Sequence, residues 1–349
     1  MDAAPVPTRP TLSIVVPCHN EAPVLPAFHA RLCRVMAELP DPFELVCVND
    51  GSTDATLDIL LRLRASDPRV AVLNLSRNFG KEAALTAGLD HARGDAVIVI
   101  DADLQDPPEL IGAMVARWRE GFDVVYAQRR QRDGDPFFKR STARAFYKVM
   151  GRLGGVRLQL PRDVGDFRLM SRRATDAVLQ LREHHRFMKG IFAWIGYPSV
   201  AVPYDRAARA AGLSSWSYWK LWNLALEGIT SFSTAPLRLA TYVGLLVALV
   251  ALGYGTVLIA NTIIYGVQVP GYPSLMSVVL FMGGLQMTTL GILGEYVGRV
   301  FNETKRRPLY LIERALPSRL DGEHAGGEPA KPVVAHDREF GAADRGQHG

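Results

Sequence analysis

Residues 239–294 form 56 consecutive positions without an Asp, Glu, Lys, Arg or His. A helix that crosses a bilayer needs about 20 apolar residues, and two runs meet that length, about 239–264 and 275–297. The segment GVQVPGYPS between them carries Pro270, Gly271 and Pro273, which break a helix. The pattern predicts two transmembrane helices joined by a short turn. A pair of buried core helices would rarely run this far without a charge. Arg238 precedes the first run; Arg299, Lys305, Arg306 and Arg307 follow the second; the turn has neither Lys nor Arg. By the positive-inside rule both ends of the hairpin, and both termini, face the cytoplasm at the inner membrane. Glu295 is expected at the interface, paired with Arg299 one turn on.

The flanks divide the rest. Residues 1–10 are a tail, and MDAAPVPTRP lacks the apolar core of a signal peptide. Residues 11–212 read as a folded domain on the cytoplasmic side. Residues 213–235 open with LSSWSYWKLWNLALEGITSF, whose Trp216, Tyr218, Trp219 and Trp222 suit an amphipathic helix in the headgroup region. After the hairpin at 236–300, residues 301–317 form a juxtamembrane segment, and 318–349 are rich enough in Gly, Ala, Pro and charge to predict disorder. The three cysteines, Cys18, Cys33 and Cys47, lack metal-ligand spacing and read as buried reduced thiols. The net charge of +5 fits anionic partners.

Within 11–212 apolar strands alternate with helical patterns. Strands are expected at Leu12–Pro17, Phe43–Asn49, Val70–Leu75, Ala96–Asp101 and Val124–Gln128. Helices are expected near Val24–Glu38, Thr53–Ala65, Lys81–Ala92 and Pro108–Glu120. That alternation predicts an α/β fold, a mostly parallel sheet with flanking helices. Ligands on such sheets bind outside the carboxyl ends of the strands, and the polar motifs fall there.

The fourth strand runs into Asp101-x-Asp103, two carboxylates at one tip. Like charges so placed call for a positive partner. A divalent cation carrying a diphosphate, Mg²⁺ or Mn²⁺, is the natural one, with Gln105 adding a neutral oxygen. After the second strand, Asp50-Gly51-Ser52 makes a tight turn. Gly51 there permits close approach of a ligand, Asp50 can accept from a nucleobase or ribose, and Thr53 or Asp54 is expected to cap the next helix. Arg77 and Lys81 flank a glycine at a helix start, a pattern suited to phosphate. A further basic cluster, Arg129, Arg130, Arg132, Lys139 and Arg140, is a candidate for a lipid phosphate; no nucleic-acid-binding signature accompanies it, so nucleic acid is not expected as a partner.

SIVVPCHNE, VNDGSTDAT, SRNFGKEAAL, DADLQDPPEL, GDFRLMSRR and RFMKGIFAWIGY occur in order. With the paired spans and EYVGRVFNETKRRPLY, the chain over residues 11–313 resembles glycosyltransferase family 2. Within that family it resembles the polyprenyl-phosphate glycosyltransferases, of bactoprenol glucosyltransferase or dolichol-phosphate mannose synthase type. The resemblance implies a GT-A fold and places Pro17, Asn20, Glu21 and Asp50 around the nucleotide. It implies Asp101 and Asp103 as metal and diphosphate ligands, with Gln105 beside them, and Asp166 as a carboxylate near the acceptor. It also implies Arg129, Arg140, Arg206 and Arg209 as phosphate-binding cations. The implied activity is metal-dependent transfer of a sugar, glucose from UDP-glucose above others, to polyprenyl (undecaprenyl) phosphate with inversion. Mannose or another UDP-sugar, and a non-catalytic nucleotide-sugar-binding membrane module, are the alternatives. His184-His185-Arg186-Phe187 stands where processive synthases carry Gln-x-x-Arg-Trp, which disfavours a polymerase. Pro17–Glu21 offers no Gly-x-Gly-x-x-Gly loop, which disfavours an oxidoreductase. Gly283 and Gly284 would let spans pack closely in a homo-oligomer.

Overall fold

The computed structural model describes residues 10–130, 164–184, 186, 188–204, 235–265 and 271–320. Arg140, Arg206, Arg209, Arg132, Lys139, the tryptophan-rich 213–234 stretch and the 321–349 tail lie outside the described residues.

The chain runs β1 (Leu12–Cys18), α1 (Leu25–Ala37), β2 (Phe43–Asn49), α2 (Thr56–Ser66), β3 (Val70–Leu75), α3 (Lys81–His91), β4 (Ala96–Val99), α4 (Leu110–Arg119) and β5 (Val124–Arg129). It continues through β6 (Val164–Ser171), α5 (Arg172–Gln180), α6 (Met188–Trp194), β7 (Ser199–Tyr204), α7 (Ala235–Tyr265), α8 (Tyr272–Thr304) and β8 (Ile312–Leu316). The eight strands form one sheet in the order β7-β5-β6-β4-β1-β2-β3-β8. Pairs β1·β2, β1·β4, β2·β3 and β5·β7 are parallel; β4·β6, β5·β6 and β3·β8 are antiparallel, so the sheet is mixed.

Alternation along β1 explains the layers. Leu12, Ile14 and Val16 face a core shared with Phe28 and Leu32 of α1, Leu60 of α2 and Ile111 of α4. Val15 faces the opposite core with Leu85 and Leu89 of α3. On α1, Leu25, Phe28, Leu32 and Met36 recur at helical spacing and are all buried. α3 is buried from Ala83 to Leu89, and a Cβ on Gly88 would come within 2.3 Å of Val15 Cγ1, so only glycine allows this approach.

Three findings differ from the sequence expectation. β4 ends at Val99, with Ile100 still donating to Val15 O at 3.1 Å, so Asp101 sits just beyond the strand. α2 begins at Thr56 rather than at a Thr53 or Asp54 cap. The Asp54 carboxylate instead accepts from Thr56 N at 3.0 Å and from Ala22 N at 3.2 Å, tying the loops after β1 and β2 together. Cys18 and Cys47 are buried, but Cys33 is half-buried beside His29, Asp67 and Arg69.

Among the described residues one helical stretch, Ala240–Val257 of α7, is long and apolar enough to cross a membrane, and none of it is buried. Leu252 is 69% exposed and Ile263 78% exposed. Large apolar side chains turned outward are what a lipid-facing helix presents, whereas a soluble-core helix hides them. On α8 Glu295 and Arg299 pair at 2.9 Å.

The chain then returns to the sheet. β8 pairs with β3 through Val72↔Leu316, Leu73↔Ala315 and Asn74↔Arg314. Glu44, 1% exposed on β2, gathers the closure: its carboxylate accepts from Ser13 Oγ at 2.6 Å, Arg93 N at 2.7 Å and Ser318 Oγ at 3.3 Å.

Candidate active site

The strand order places β2 and β3 on one side of β1 and β4 on the other, so the crevice at the carboxyl ends of β1 and β4 is the switch point of the sheet. The loops that leave β1, β2, β3 and β4 all open there.

Pro17 lies on β1, and Asn20 follows in a left-handed backbone (φ 57°). Asn suits that conformation because its short amide bonds locally. Its Oδ1 accepts from Thr53 N at 2.9 Å, and its own N–H donates to Ser52 Oγ at 3.0 Å. Glu21 N donates to Thr56 Oγ1 at 2.9 Å. Asp50 is 2% exposed, and its two carboxylate oxygens accept from Phe79 N at 2.7 Å and Gly80 N at 2.9 Å. Gly51 has φ +60°, and a Cβ there would lie 2.4 Å from Asn78 N. Asp50 and Gly51 thus bind the loop that starts α3, a task their turn-like sequence did not reveal.

Arg77 lies over the Phe79 ring at 4.0 Å and donates to Asn78 O at 2.9 Å. Lys81 does something else. Its Nζ donates to Asp101 Oδ2 and to Asp166 Oδ2, each at 2.7 Å, joining the tip of β4 to β6. Leu104 has φ 58°, strained for a bulky side chain, and the turn it makes lets Gln105 N donate to Asp103 Oδ1 at 3.0 Å. Burial pushes the Asp101 carboxyl up, and Asp166 and Asp103 add to this against the pull of Lys81. Burial also raises Glu21, with Asp103 and Asp101 adding repulsion. Burial works against the charged Asp166 too, yet Lys81, Lys189 and Arg168 hold it below its ordinary value.

Glu21, Asp101 and Asp103 therefore gather more negative charge than Lys81 answers. That hard-oxygen set fits a divalent cation whose other ligands come from water and phosphate. Among the described residues the one group of three closely gathered His, Cys, Asp or Glu ligand atoms is elsewhere, at His29, Cys33 and Asp67. Arg69 already fills it, donating to Asp67 at 2.8 Å and lying 3.5 Å from Cys33 Sγ.

The wall beyond Asp166 is basic. Arg129 Nε donates to the Tyr204 hydroxyl at 3.1 Å, and Tyr204 bonds in turn to buried Asp106. Gly165 lies against this group; a Cβ there would sit 3.4 Å from Arg129 Nη2. Arg168 is 4% exposed, stacks on Phe192 of α6 at 3.7 Å and donates to Gly165 O at 2.9 Å, which fixes the backbone that presents Asp166. Burial lowers Arg168 to about 10. Sequence reasoning missed Arg168, Lys189, Asp106 and Tyr204. A charge inside the apolar run of β6 was the signal for Arg168.

A glycosyl transferase family 2 model matches residues 13–179, and a GtrB C-terminal hairpin model matches residues 235–300. An uncharacterized glycosyltransferase of Synechocystis is 53% identical over 301 residues, covering 86% of this chain and 94% of that one. The SfII prophage-derived bactoprenol glucosyl transferase of Shigella flexneri is 49% identical over 304 residues, covering 87% and 98%. A prophage bactoprenol glucosyl transferase homolog of Escherichia coli K12 is 51% identical over 304 residues, with the same coverage. With an acidic strand tip at the sheet's switch point and relatives matched over nearly their whole length, the chain belongs to glycosyl transferase family 2, in its GtrB-hairpin form.

Proposed function

We propose that this enzyme transfers glucose from UDP-glucose to undecaprenyl phosphate, giving a lipid-linked monosaccharide that serves cell-envelope glycan modification. The observation that carries the reading is the acidic tip of β4 at the switch point, in a chain whose C-terminal hairpin is of the GtrB type. The bactoprenol glucosyl transferases among its relatives favour glucose and a prenyl phosphate.

Pro17, Asn20, Glu21, Asp50 and Gly51 form the nucleotide side, and Asp101 and Asp103, with Gln105 beside them, would hold Mg²⁺ or Mn²⁺. That cation would neutralise charge gathering on the departing diphosphate. A phosphate oxygen of the acceptor attacks the anomeric carbon as the bond to UDP breaks on the opposite face, so configuration inverts. The acceptor is already an anion at neutral pH, so no side chain has to strip a proton from it. Positioning and charge stabilisation suffice. Asp166, held ionised by Lys81, orients groups rather than acting as base. Arg129, Arg140, Arg206 and Arg209 supply positive charge for the phosphates, with Arg77 and Lys81 at the start of α3.

We place both α7 and α8 across the inner membrane, with the sheet and both termini in the cytoplasm, because residues 239–294 carry no charge and the flanking Arg and Lys lie outside them. A lipid acceptor confined to the bilayer explains the anchor, and Gly283-Gly284 supports association of spans between copies. The test is to incubate membranes bearing the enzyme with radiolabelled UDP-glucose, undecaprenyl phosphate and Mg²⁺, and to weigh the lipid product. Asp101→Ala and Asp103→Ala are each expected to lose about a hundred- to a thousandfold in kcat, and Asp166→Ala less. Full-speed transfer after removal of both Asp101 and Asp103 carboxylates would refute the proposal; label bound but never transferred would favour a binding module.

A further inference from the structure

β5 ends at Arg129 and β7 at Tyr204, and the two residues are cross-strand partners. Asp106 comes to the same point from the loop between β4 and α4, directly after residues 101–105. The three side chains form a line. An arginine can only donate, so the Tyr204 oxygen accepts from Arg129 Nε at 3.1 Å, and its own O–H donates to Asp106 Oδ1. Asp106 and Tyr204 are buried, while the Arg129 side chain is 23% exposed and open to a ligand. Asp106 Oδ1 stands 3.7 Å from Arg129 Nη2, an ion pair beyond hydrogen-bond reach. Among the described residues the two terminal nitrogens of Arg129 make no hydrogen bond. Distances also put this line in the site. Arg129 Nη2 lies 3.4 Å from the place of a Cβ on Gly165, and the next residue, Asp166, shares Lys81 Nζ with Asp101 at 2.7 Å each.

A guanidinium beside a buried carboxylate usually closes on it with two parallel bonds. Here a tyrosine hydroxyl stands between the two and occupies Nε, the nitrogen set back from the end of the fork. The end-on pair, Nη1 and Nη2, is left over, and two such donors match two oxygens of a phosphate. We propose that Tyr204, anchored by Asp106, is a positioning residue that holds Arg129 off the carboxylate and keeps its terminal nitrogens for a phosphate in the site. Arg129 as a phosphate-binding cation is the reading on which this rests. The phosphate belongs either to the prenyl acceptor or to the UDP of the donor, and the two are told apart by which substrate responds.

The test uses full-length enzyme in lipid nanodiscs, with KM measured separately for undecaprenyl phosphate and UDP-glucose and folding followed by thermal unfolding. Tyr204→Phe keeps the buried ring, deletes the hydroxyl and lets Arg129 close on Asp106. It is expected to raise KM about tenfold or more. A rise for undecaprenyl phosphate puts the fork on the acceptor, and a rise for UDP-glucose puts it on the donor diphosphate; either supports the positioning role. Adding Asp106→Asn to Tyr204→Phe removes the carboxylate that captures the guanidinium, so the double variant is expected to recover most of the lost KM. A merely structural role predicts the reverse, with the double variant the worse of the two. Wild-type KM for both substrates in Tyr204→Phe overturns the inference, and so does a double variant no better than the single one. Should Tyr204→Phe fail to fold, Arg129→Lys decides, because a lone ammonium offers no fork; wild-type KM for both substrates in that enzyme overturns it too. If wild-type enzyme glucosylates no prenyl phosphate, the functional reading has failed, whereas an active wild type with an unaffected Tyr204→Phe sinks the positioning role alone.

Discussion

Asp50→Asn tests whether Asp50 serves the nucleotide directly or builds the loop that positions Lys81. The carboxylate gives one oxygen to Phe79 N at 2.7 Å and the other to Gly80 N at 2.9 Å, at 2% exposure. An asparagine keeps one acceptor and turns an NH₂ group toward a backbone N–H, leaving a buried donor unpaired. Losing one charge-assisted bond and stranding its donor costs about 2–4 kcal/mol. Gly80 directly precedes Lys81, so the slack passes to the lysine that joins Asp101 to Asp166. The expected outcome is a thermal midpoint lowered by about 4–16 °C, scaled from a domain of about 200 residues, and a fall in kcat larger than any rise in UDP-glucose KM. Thermal unfolding in detergent and steady-state kinetics read the two effects. An unchanged midpoint with a raised UDP-glucose KM would refute the reasoning, because it would make Asp50 a nucleotide contact and nothing more.

Gly51→Ala is expected to cost about 2 kcal/mol or more through its positive φ and close approach, since the new Cβ would meet Asn78 N at 2.4 Å; thermal unfolding and UDP affinity should both report it. Glu82 is raised from 4.5 to about 7 by burial and by Asp166, so the folded state holds its proton more tightly than the unfolded chain does. The resulting stabilisation is complete below about pH 4.5 and is lost as pH rises through about 7, amounting to at most about 3 kcal/mol. Wild type should therefore lose stability between pH about 5 and about 8 relative to Glu82→Gln, and parallel curves for the two would contradict this. Glu44→Ala should destabilise by about 3–5 kcal/mol, because it abandons Ser13, Arg93 and Ser318 around a buried position.

Much of this was legible in the sequence where a short period repeats. β1, β2 and β3 are short, largely apolar runs bounded by turn residues, and α1 shows the spacing of one buried face. The acidic tip stood out because carboxylates directly follow such a run. β6 was hidden by its own chemistry: VGDFRLMS places Arg168 and Asp166 inside a strand, and only Phe192, Gly165 O and Lys81 make those charges tolerable there. No local pattern contains partners so distant in the chain. Only part of Lys81 could be read, for a related reason: a lysine at a helix start suggests phosphate, and nothing local shows that it also joins Asp101 to Asp166 of β6. Asp54 looked like a helix cap because its neighbours do, but the backbone it binds includes Ala22 from another loop.

The order of synthesis gives β8 a further meaning. N-terminal segments leave the ribosome first, so β3 forms while the strand that covers its outer edge is still unmade. An open edge invites wrong partners. Since α7 and α8 lie between them in the chain, that edge is sealed only after both apolar helices have emerged. A chain cut anywhere before β8 is therefore left one strand short, so the sheet closes only in a chain that carries the whole hairpin.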